Sequence, residues 1–410
     1  MKLDALLRSA GLSDLQLDSS AAALEITSVQ ADSRRVTPGA LFVACDGLRT
    51  RGLDYVAAAA EAGAVAVVVT ADATAVAPAV VQAVVSQGVV VLRVPSPRRV
   101  LGPLASASHG HPSRQLAVLA ITGTNGKTTT ATLVAQLLCA SGRRAAALGT
   151  LGLWTAEGIE SGGLTTPDAV DLQARLAALR DRGFAAVVLE ASSHALDQDR
   201  LVGTHLRVVG WSNLSHDHLD YHGDVASYAA AKLRLFTELL PAGSSGWVNS
   251  DDLATAPALQ LPGVRGYSFG AETDARAQVA GLQLTASGLS LRLHVHRQDG
   301  AEVIDLSAPL LGRHNAHNLV LAALMCRDLG LSAGQIASAA LTLTAPRGRL
   351  EPIANGHGAL ILVDYAHTPD ALAQVLTVGR ELVHDDGQLV VVFGCGGDRD
   401  AAKRAPMGQA

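Results

Sequence analysis

From Leu116 onward the chain alternates between continuous apolar runs and stretches of helical period. LAVLAIT (116–122) is followed by a glycine turn, the helical TTATLVAQLLCASG and a second apolar run, RAAALGTLG. DLQARLAALRDRG predicts the next helix, FAAVVLEAS and LRVVGWSNL two further buried strands, and the segment around Lys232 another helix. Apolar runs of this length between helices predict parallel strands covered on both faces, a doubly wound α/β sheet. Residues 273–310 alternate instead, as in LSLRLHVHR, which predicts antiparallel strands inserted or appended. HNLVLAALMCRDLG and SAGQIASAALT read as helices.

The flanks differ from this centre. Residues 1–97 carry short strands, turns and one clear helix: DSRRVTPGALFVA, YVAAAAEAGAVAVVVT and VVVLRVPSP. SPRRVLGPLASASHGHPSRQ (96–115) is rich in Pro, Gly and Ser and reads as a boundary. Pro346-Arg347-Gly348 reads as a second hinge, followed by GALILVDYA, a helix from about residue 369 and QLVVVFGCGGDRD. The expected domains are therefore 1–97, 98–346 and 347–410. The last holds about one and a half βα units, too few to cover both faces of a sheet, so an incomplete third domain is expected.

Composition narrows the class. A chain of 410 residues exceeds one ordinary core. Net charge is −5 with both signs interspersed, which argues against a nucleic-acid tail or a basic membrane patch. Cys45, Cys139, Cys326 and Cys395 are scattered without CxxC spacing, so neither a disulfide framework nor a zinc site is expected. The start, MKLDALLRSAGLSD, reads as a short amphipathic helix without a signal-peptide apolar region. AVAVVV (64–69) is too short to span a bilayer. A cytoplasmic protein is expected.

The chemistry concentrates at three places. The strand LAVLAIT runs into Gly123-Thr124-Asn125-Gly126-Lys127-Thr128-Thr129 and then a helix. Glycines let backbone N–H groups close around phosphate oxygens, and the helix N-terminus adds partial positive charge. Lys127 suits β- and γ-phosphates, and the Thr128 hydroxyl suits a magnesium shell. The commonest form of such loops, GxxxxGK[ST], is not met, because Ile121 stands at its first glycine. Glu190 ends an apolar strand, at the sheet edge where α/β proteins bind ligands. It suits a magnesium ligand or a water-positioning group, or else a capping or ion-paired carboxylate. Ser192, His194, Gln198 and Arg200 follow it on an expected loop, but no GxSxG elbow supports a hydrolase.

The third place is SHDHLDYHGDVASYAAAKLRLF (215–236). Asp224 suits an N-cap, with a helix from Val225 to about Leu240. At the helical period, Leu235, Tyr228, Leu239, Lys232, Val225, Phe236, Ala229 and Leu240 share one apolar arc, and Ser227, Arg234 and Glu238 lie opposite. Lys232 sits near the middle of the apolar arc. Two readings stay open: a packed stem with its head in water, or a buried amine of lowered pKa, nucleophilic enough to take up CO2. The His/Asp cluster is too dense for all of it to be ligands.

Taken in order, ITGTNGKTTT, LTTPDAVDLQ, LEASSHALDQDRL, NLSHDHLDYHG, AAKLRLF, LLGRHNAHNL, APRGRLE, VDYAHTPDAL and FGCGGDRDAAKR resemble the Mur ligases. DSRRVTPGALFVACDG resembles the UDP-binding domain of the MurE type, which adds the third residue of the peptidoglycan stem peptide. The resemblance covers nearly the whole chain. It implies a three-domain architecture with a small N-terminal α/β domain, a central parallel-sheet ATPase domain and a Rossmann-like C-terminal domain. It implies ATP-driven amide formation on UDP-N-acetylmuramoyl-L-alanyl-D-glutamate through an acyl phosphate, with ADP released. Meso-diaminopimelate is the expected amino acid and L-lysine the alternative, and a monomer is expected.

The resemblance also implies residue roles. Gly123 to Thr129, Asn315, Arg349 and Asp364 would contact ATP. Thr128, Glu190, His218 and Lys232, as a carbamate, would hold magnesium. Ser33, Leu48, Arg49, Thr50, Thr165, Thr166, Ser192, Gln198 and Arg200 would contact the UDP substrate, and Arg399 the amino acid. His314 stands where the family usually has Phe. The DNPR-like motif that reads the incoming side chain lies beyond Ala410, which leaves open the amino acid added and a non-catalytic nucleotide-binding homologue. Folylpolyglutamate synthase and cyanophycin synthetase share the ATP loop. DSRRVTPG argues against the first, and the absence of a preceding ATP-grasp-like half argues against the second.

Overall fold

A computed structural model describes residues 1–47, 50–72, 78–270, 274–297, 300–356, 358–383, 387–395 and 404–410, with backbone alone at 78, 79, 297 and 370. Four short parallel strands form the first sheet: β1 (Ser28–Gln30), β2 (Ala40–Val43), β3 (Ala66–Thr70) and β4 (Val90–Val94), in that order. β2 is buried at every residue, as a strand covered on both faces must be. The helix Leu3–Ser9 closes one face with Leu3, Leu6 and Leu7.

The second sheet is built from β5 (Ala117–Thr122), β6 (Ala145–Gly149), β7 (Gly152–Thr155), β8 (Gly158–Glu160), β9 (Ala186–Glu190), β10 (Leu206–Trp211), β11 (Ser245–Asn249), β12 (Val264–Ser268), β13 (Ala277–Thr285), β14 (Gly288–Arg297) and β15 (Gly300–Ala308). Its order is β15-β14-β13-β12-β11-β10-β5-β9-β6-β7-β8. β6, β9, β5, β10, β11, β12 and β13 run parallel. The alternating segment supplies the antiparallel edge β13-β14-β15.

Each apolar run serves two cores because successive side chains leave opposite faces. Leu119 and Ile121 of β5 join Leu133, Leu137 and Leu319 on one side. Val118 and Ala120 join Leu176, Val187 and Leu235 on the other. Burying each large apolar side chain is worth about 1.5–3 kcal/mol. The parallel register sets Ile121 beside Glu190 and Thr122 beside Trp211, so β5, β9 and β10 end together. The chemistry-bearing loops leave from that edge.

Three local expectations change. The boundary segment is mostly helix, Pro97–Ser108. Pro97 lies in the first turn, where a missing N–H costs nothing, Ser96 caps it, and Leu101, Leu104 and Ala105 are buried. The stretch after Glu190 is not all loop: Ser192 caps a short helix, Ser193–Asp197. In the C-terminal segment β16 (Glu351–Ile353) pairs antiparallel with β17 (Ile361–Val363), ahead of the expected helix Pro369–Leu382. Residues 387–395 form no strand. A valine run of this kind holds as a strand only between neighbours, and here Val390 is 78% and Val392 96% exposed. Among the described residues no helix is long and apolar enough to cross a membrane.

Candidate active site

The glycine loop lies against the end of β10. Asn125 N donates to Asn213 Oδ1 at 2.9 Å, Thr124 N to Asn213 O at 3.0 Å, and Ser212 Oγ to Asn125 O at 2.6 Å. Thr124 Oγ1 accepts Ser215 N at 2.9 Å and lies 3.2 Å from the Tyr228 hydroxyl. Gly126 is left-handed, φ 84°, and caps the helix Lys127–Ala140. A Cβ there would fall 2.3 Å from Asn318 Oδ1. Gly126→Ala is expected to lower unfolding free energy by at least about 1 kcal/mol from the backbone conformation alone. An unchanged urea midpoint would refute this.

Lys127 and Lys232 meet at one atom. Lys127 Nζ donates to Gly123 O and Thr124 O, both at 2.8 Å. Lys232 Nζ also donates to Gly123 O, at 2.8 Å. Lys232 leaves the helix Val225–Thr237, capped by Asp224, whose side chain accepts Ser227 N. Tyr228, Lys232, Leu235 and Phe236 form its buried face. Lys232 is 1% exposed, so its head does not reach water. Its Nζ lies 4.2 Å from the Tyr228 ring centroid. Burial, then the charge of Lys127, pushes its pKa well below the usual lysine range. Burial also lowers that of Lys127, and Glu190 and Asp217 oppose the shift. Two lysine heads on one carbonyl leave an unmet demand for anionic oxygen.

Glu190 is 2% exposed at the end of β9. Its Oε1 accepts Thr150 N at 2.8 Å; its Oε2 accepts Thr128 Oγ1 at 3.0 Å and Thr150 Oγ1 at 3.1 Å. Thr150 carries no motif, but its place directly after an apolar strand was the signal that could have found it. Arg349 reaches in from beyond the hinge, with Nη2 3.5 Å from Thr128 Oγ1 and a buried, unpartnered Nε. Asp364 holds that segment's backbone, accepting Leu350 N and Ala366 N at 2.8 Å each.

Other predicted residues take supporting places. Asn315 is buried, donates to Leu311 O at 2.9 Å and accepts Asn318 Nδ2 at 3.0 Å. Asn318 in turn accepts Thr130 Oγ1 at 3.2 Å. The pair braces the loop helix from behind, and the repeat at i and i+3 was the available sign for Asn318. Buried Thr129 lies in the same helix as Thr130. His218 is left-handed at φ 52° and half-exposed, with Nε2 3.5 Å from Asp217 Oδ2. Its ring lies 4.9 Å from that of His194 and 6.2 Å from that of Tyr228.

A second cluster adjoins the first. Thr166 Oγ1 donates to Glu190 O at 2.6 Å and lies 3.2 Å from Ser192 Oγ. Arg200 donates to Thr166 O at 2.8 Å and Gln198 Oε1 at 2.7 Å, and Gln198 reaches Tyr221 OH at 3.2 Å. Thr165 Oγ1 lies 3.1 Å from Thr150 Oγ1. Ser33 opens a turn in the N-terminal unit, where Arg35 pairs with Asp171 at 2.8 Å. Thr50 is exposed, and its carbonyl accepts Gly47 N at 2.9 Å. Leu48, Arg49 and Arg399 lie outside the described residues.

A buried carboxylate to which no cation among the described residues is paired, beside a threonine hydroxyl, is a hard oxygen set that fits magnesium, which takes few protein ligands and keeps its waters. No group of three or more His, Cys, Asp or Glu side chains among the described residues forms a denser metal site.

Sheet, glycine loop and strand-end carboxylate define the class: a three-unit α/β protein built around a phosphate-loop domain. The chain belongs to the Mur ligase family. Residues 25–109 match the Mur ligase family catalytic domain, 121–326 the Mur ligase middle domain, and 348–410 the Mur ligase glutamate ligase domain. The UDP-N-acetylmuramoyl-L-alanyl-D-glutamate–2,6-diaminopimelate ligase of Xanthomonas oryzae pv. oryzae is 40% identical over 392 residues, 94% of this chain and 75% of the relative. The ligase of the same name from Rhizobium meliloti is 40% identical over 96% of this chain and 78% of its own. A solved structure of such a ligase superposes with a TM-score of 0.76 at 31% identity, covering 100% of this chain and 80% of the other. MurF from Acinetobacter baumannii, at 20% identity and a TM-score of 0.60 over 93% of this chain and 76% of its own, shares the fold.

Proposed function

We propose that this chain joins meso-diaminopimelate to UDP-N-acetylmuramoyl-L-alanyl-D-glutamate in the cytoplasm, at the expense of ATP. The observation that carries the reading is the meeting of Lys127, Lys232, Thr128 and Glu190 at one sheet edge, in a chain 40% identical to ligases of that name.

The loop from Gly123 to Thr129 and Lys127 take the ATP phosphates, and Arg349 adds positive charge beside Thr128. Thr128, Glu190, His218 and a carbamate on Lys232 would hold magnesium. When bound, magnesium supplies charge neutralisation for the phosphates. Thr166, Ser192, Gln198 and Arg200 orient the dipeptide end of the substrate. Its carboxylate oxygen forms a bond to the γ-phosphorus as the bond to ADP breaks. The amine of the diamino acid then bonds to the acyl carbon, a proton is lost, and phosphate departs. The protein's contribution is positioning and electrostatic stabilisation.

Phosphate release with purified protein is the test. It is expected only when ATP, UDP-N-acetylmuramoyl-L-alanyl-D-glutamate and meso-diaminopimelate are all present. Release with L-lysine instead would reassign the amino acid. No release with either would end the proposal.

A further inference from the structure

The helix Pro97–Ser108 packs against the loop that follows Arg200, and Arg98 at its start has no role in the reading so far. Arg98 stands in the first turn of the helix Pro97–Ser108. Its Nη2 donates to the carbonyl oxygen of Asp46, and the Asp46 carboxylate accepts Gly52 N at 2.8 Å. Arg98 is thus tied to the turn that carries Thr50. The other end of this helix's packing is the loop just after Arg200. A Cβ on Gly102 would fall 1.9 Å from Val202 O, and one on Gly203 2.5 Å from Pro103 N. That contact leaves room only for glycine and seats the helix that carries Arg98 against the loop that follows Arg200.

Arg98 lies one helical turn before Gly102, on the same side of its helix. Burial lowers the pKa of Arg200; Asp168 opposes the shift, and the more weakly felt charge of Arg98 adds to it. Asp168 is committed to capping the helix Ala169–Asp181. Asp171, nearby, is paired with Arg35. Among the described residues neither Arg98 nor Arg200 forms an ion pair with a carboxylate. Arg200 spends its donors on Thr166 O and Gln198 Oε1, and among the described residues Arg98 makes a single bond, to the Asp46 carbonyl. An anion beside Arg98 would engage the N–H groups that the Asp46 carbonyl leaves over. The planar guanidinium fork matches phosphate oxygens in particular.

Resting on the proposed function, the substrate has a uridine at one end, a dipeptide carboxylate at the other and a diphosphate between them. Arg98 stands between the Thr50 turn and the Thr166, Ser192, Gln198 and Arg200 cluster. We infer that Arg98 binds the diphosphate of the nucleotide-sugar substrate and, through its helix, sets the distance between the two halves of the substrate site.

Arg98→Gln keeps an N–H donor for the Asp46 carbonyl and removes the charge. By titration calorimetry its dissociation constant for UDP-N-acetylmuramoyl-L-alanyl-D-glutamate is expected to rise about tenfold or more, as for a lost charge-assisted contact. The salt dependence of binding should become shallower. KM for ATP should stay near the parent value, and Arg98→Lys should recover part of the loss. If Arg98 merely pins the Asp46 turn, Arg98→Gln binds within about twofold of the parent with the same salt dependence, and the inference fails. If Arg98→Gln does not fold, Arg98→Lys decides alone: parental affinity and salt dependence in a variant lacking the bidentate fork would overturn the assignment, and weakened affinity supports it. A parent protein that does not bind this substrate at all overturns the proposed function, and the Arg98 assignment with it.

Discussion

Lys232→Ala is expected to lower kcat by about a hundredfold or more, the scale of losing one preorganised electrostatic group, and Lys232→Met, which refills the volume of the buried stem, to do the same without lowering the melting midpoint. A lysine held for structure would behave in the opposite way. Lys232 is 1% exposed, and its amine donates to Gly123 O and lies over the Tyr228 ring. Placing an ammonium there works against stability, because desolvation is only partly offset by one carbonyl and one aromatic face. Replacing it by Met, which keeps the buried volume, should therefore leave stability unchanged or raise it, whereas Ala leaves a cavity. Activity depends on what the amine becomes. A carbamate would convert a cation beside Lys127 into an anion, easing the repulsion between the two lysines and adding an oxygen ligand near Glu190. Depleting bicarbonate should then slow the parent enzyme, and added short-chain carboxylates should partly rescue Lys232→Ala. Parental kcat in Lys232→Ala, or indifference of the parent to bicarbonate, would remove the carbamate from the mechanism.

The sheet and the core of this site were legible because they rest on periodicity. Continuous apolar runs gave β5, β9 and β10, and strand ends gave Glu190. The position of Lys232 within an apolar arc raised the question that its burial answers. What periodicity could not supply was contact between distant segments. Nothing in the local pattern says that Lys127 and Lys232 converge on Gly123 O, or that Thr150 delivers two hydrogen bonds to Glu190. The helix Pro97–Ser108 was hidden for a different reason. Its Pro, Gly and Ser residues suit a loop by propensity, but Pro97 and Ser96 are helix-start residues and Gly102 is required by a close approach to Val202 O. The valine run near residue 390 shows the converse: strong strand propensity without a neighbouring strand to complete the ladder.

Glu190→Gln should cost about a thousandfold in kcat, at the upper end for a single electrostatic group, and leave the fold intact. The carboxylate accepts from Thr150 N on one oxygen and from the hydroxyls of Thr128 and Thr150 on the other. A glutamine can keep its carbonyl toward Thr150 N and turn its amide toward the two hydroxyls, which can rotate to accept. The cavity is tight: a Cβ on Gly149 would fall 1.9 Å from Glu190 Oε1, so an isosteric replacement is the informative one. Glu190→Ala would instead strand those donors, at about 1–3 kcal/mol for each that stays buried and unpaired, and would confound activity with stability. Glu190→Gln changes charge alone. The magnesium concentration for half-maximal rate should rise, because the only buried carboxylate beside the phosphate loop among the described residues has been neutralised. The melting midpoint should stay within a few degrees of the parent. A Glu190→Gln enzyme within about tenfold of the parent at the same magnesium concentration would show that Glu190 only braces Thr128 and Thr150, and the charge that steadies the phosphates would have to come from elsewhere in the site.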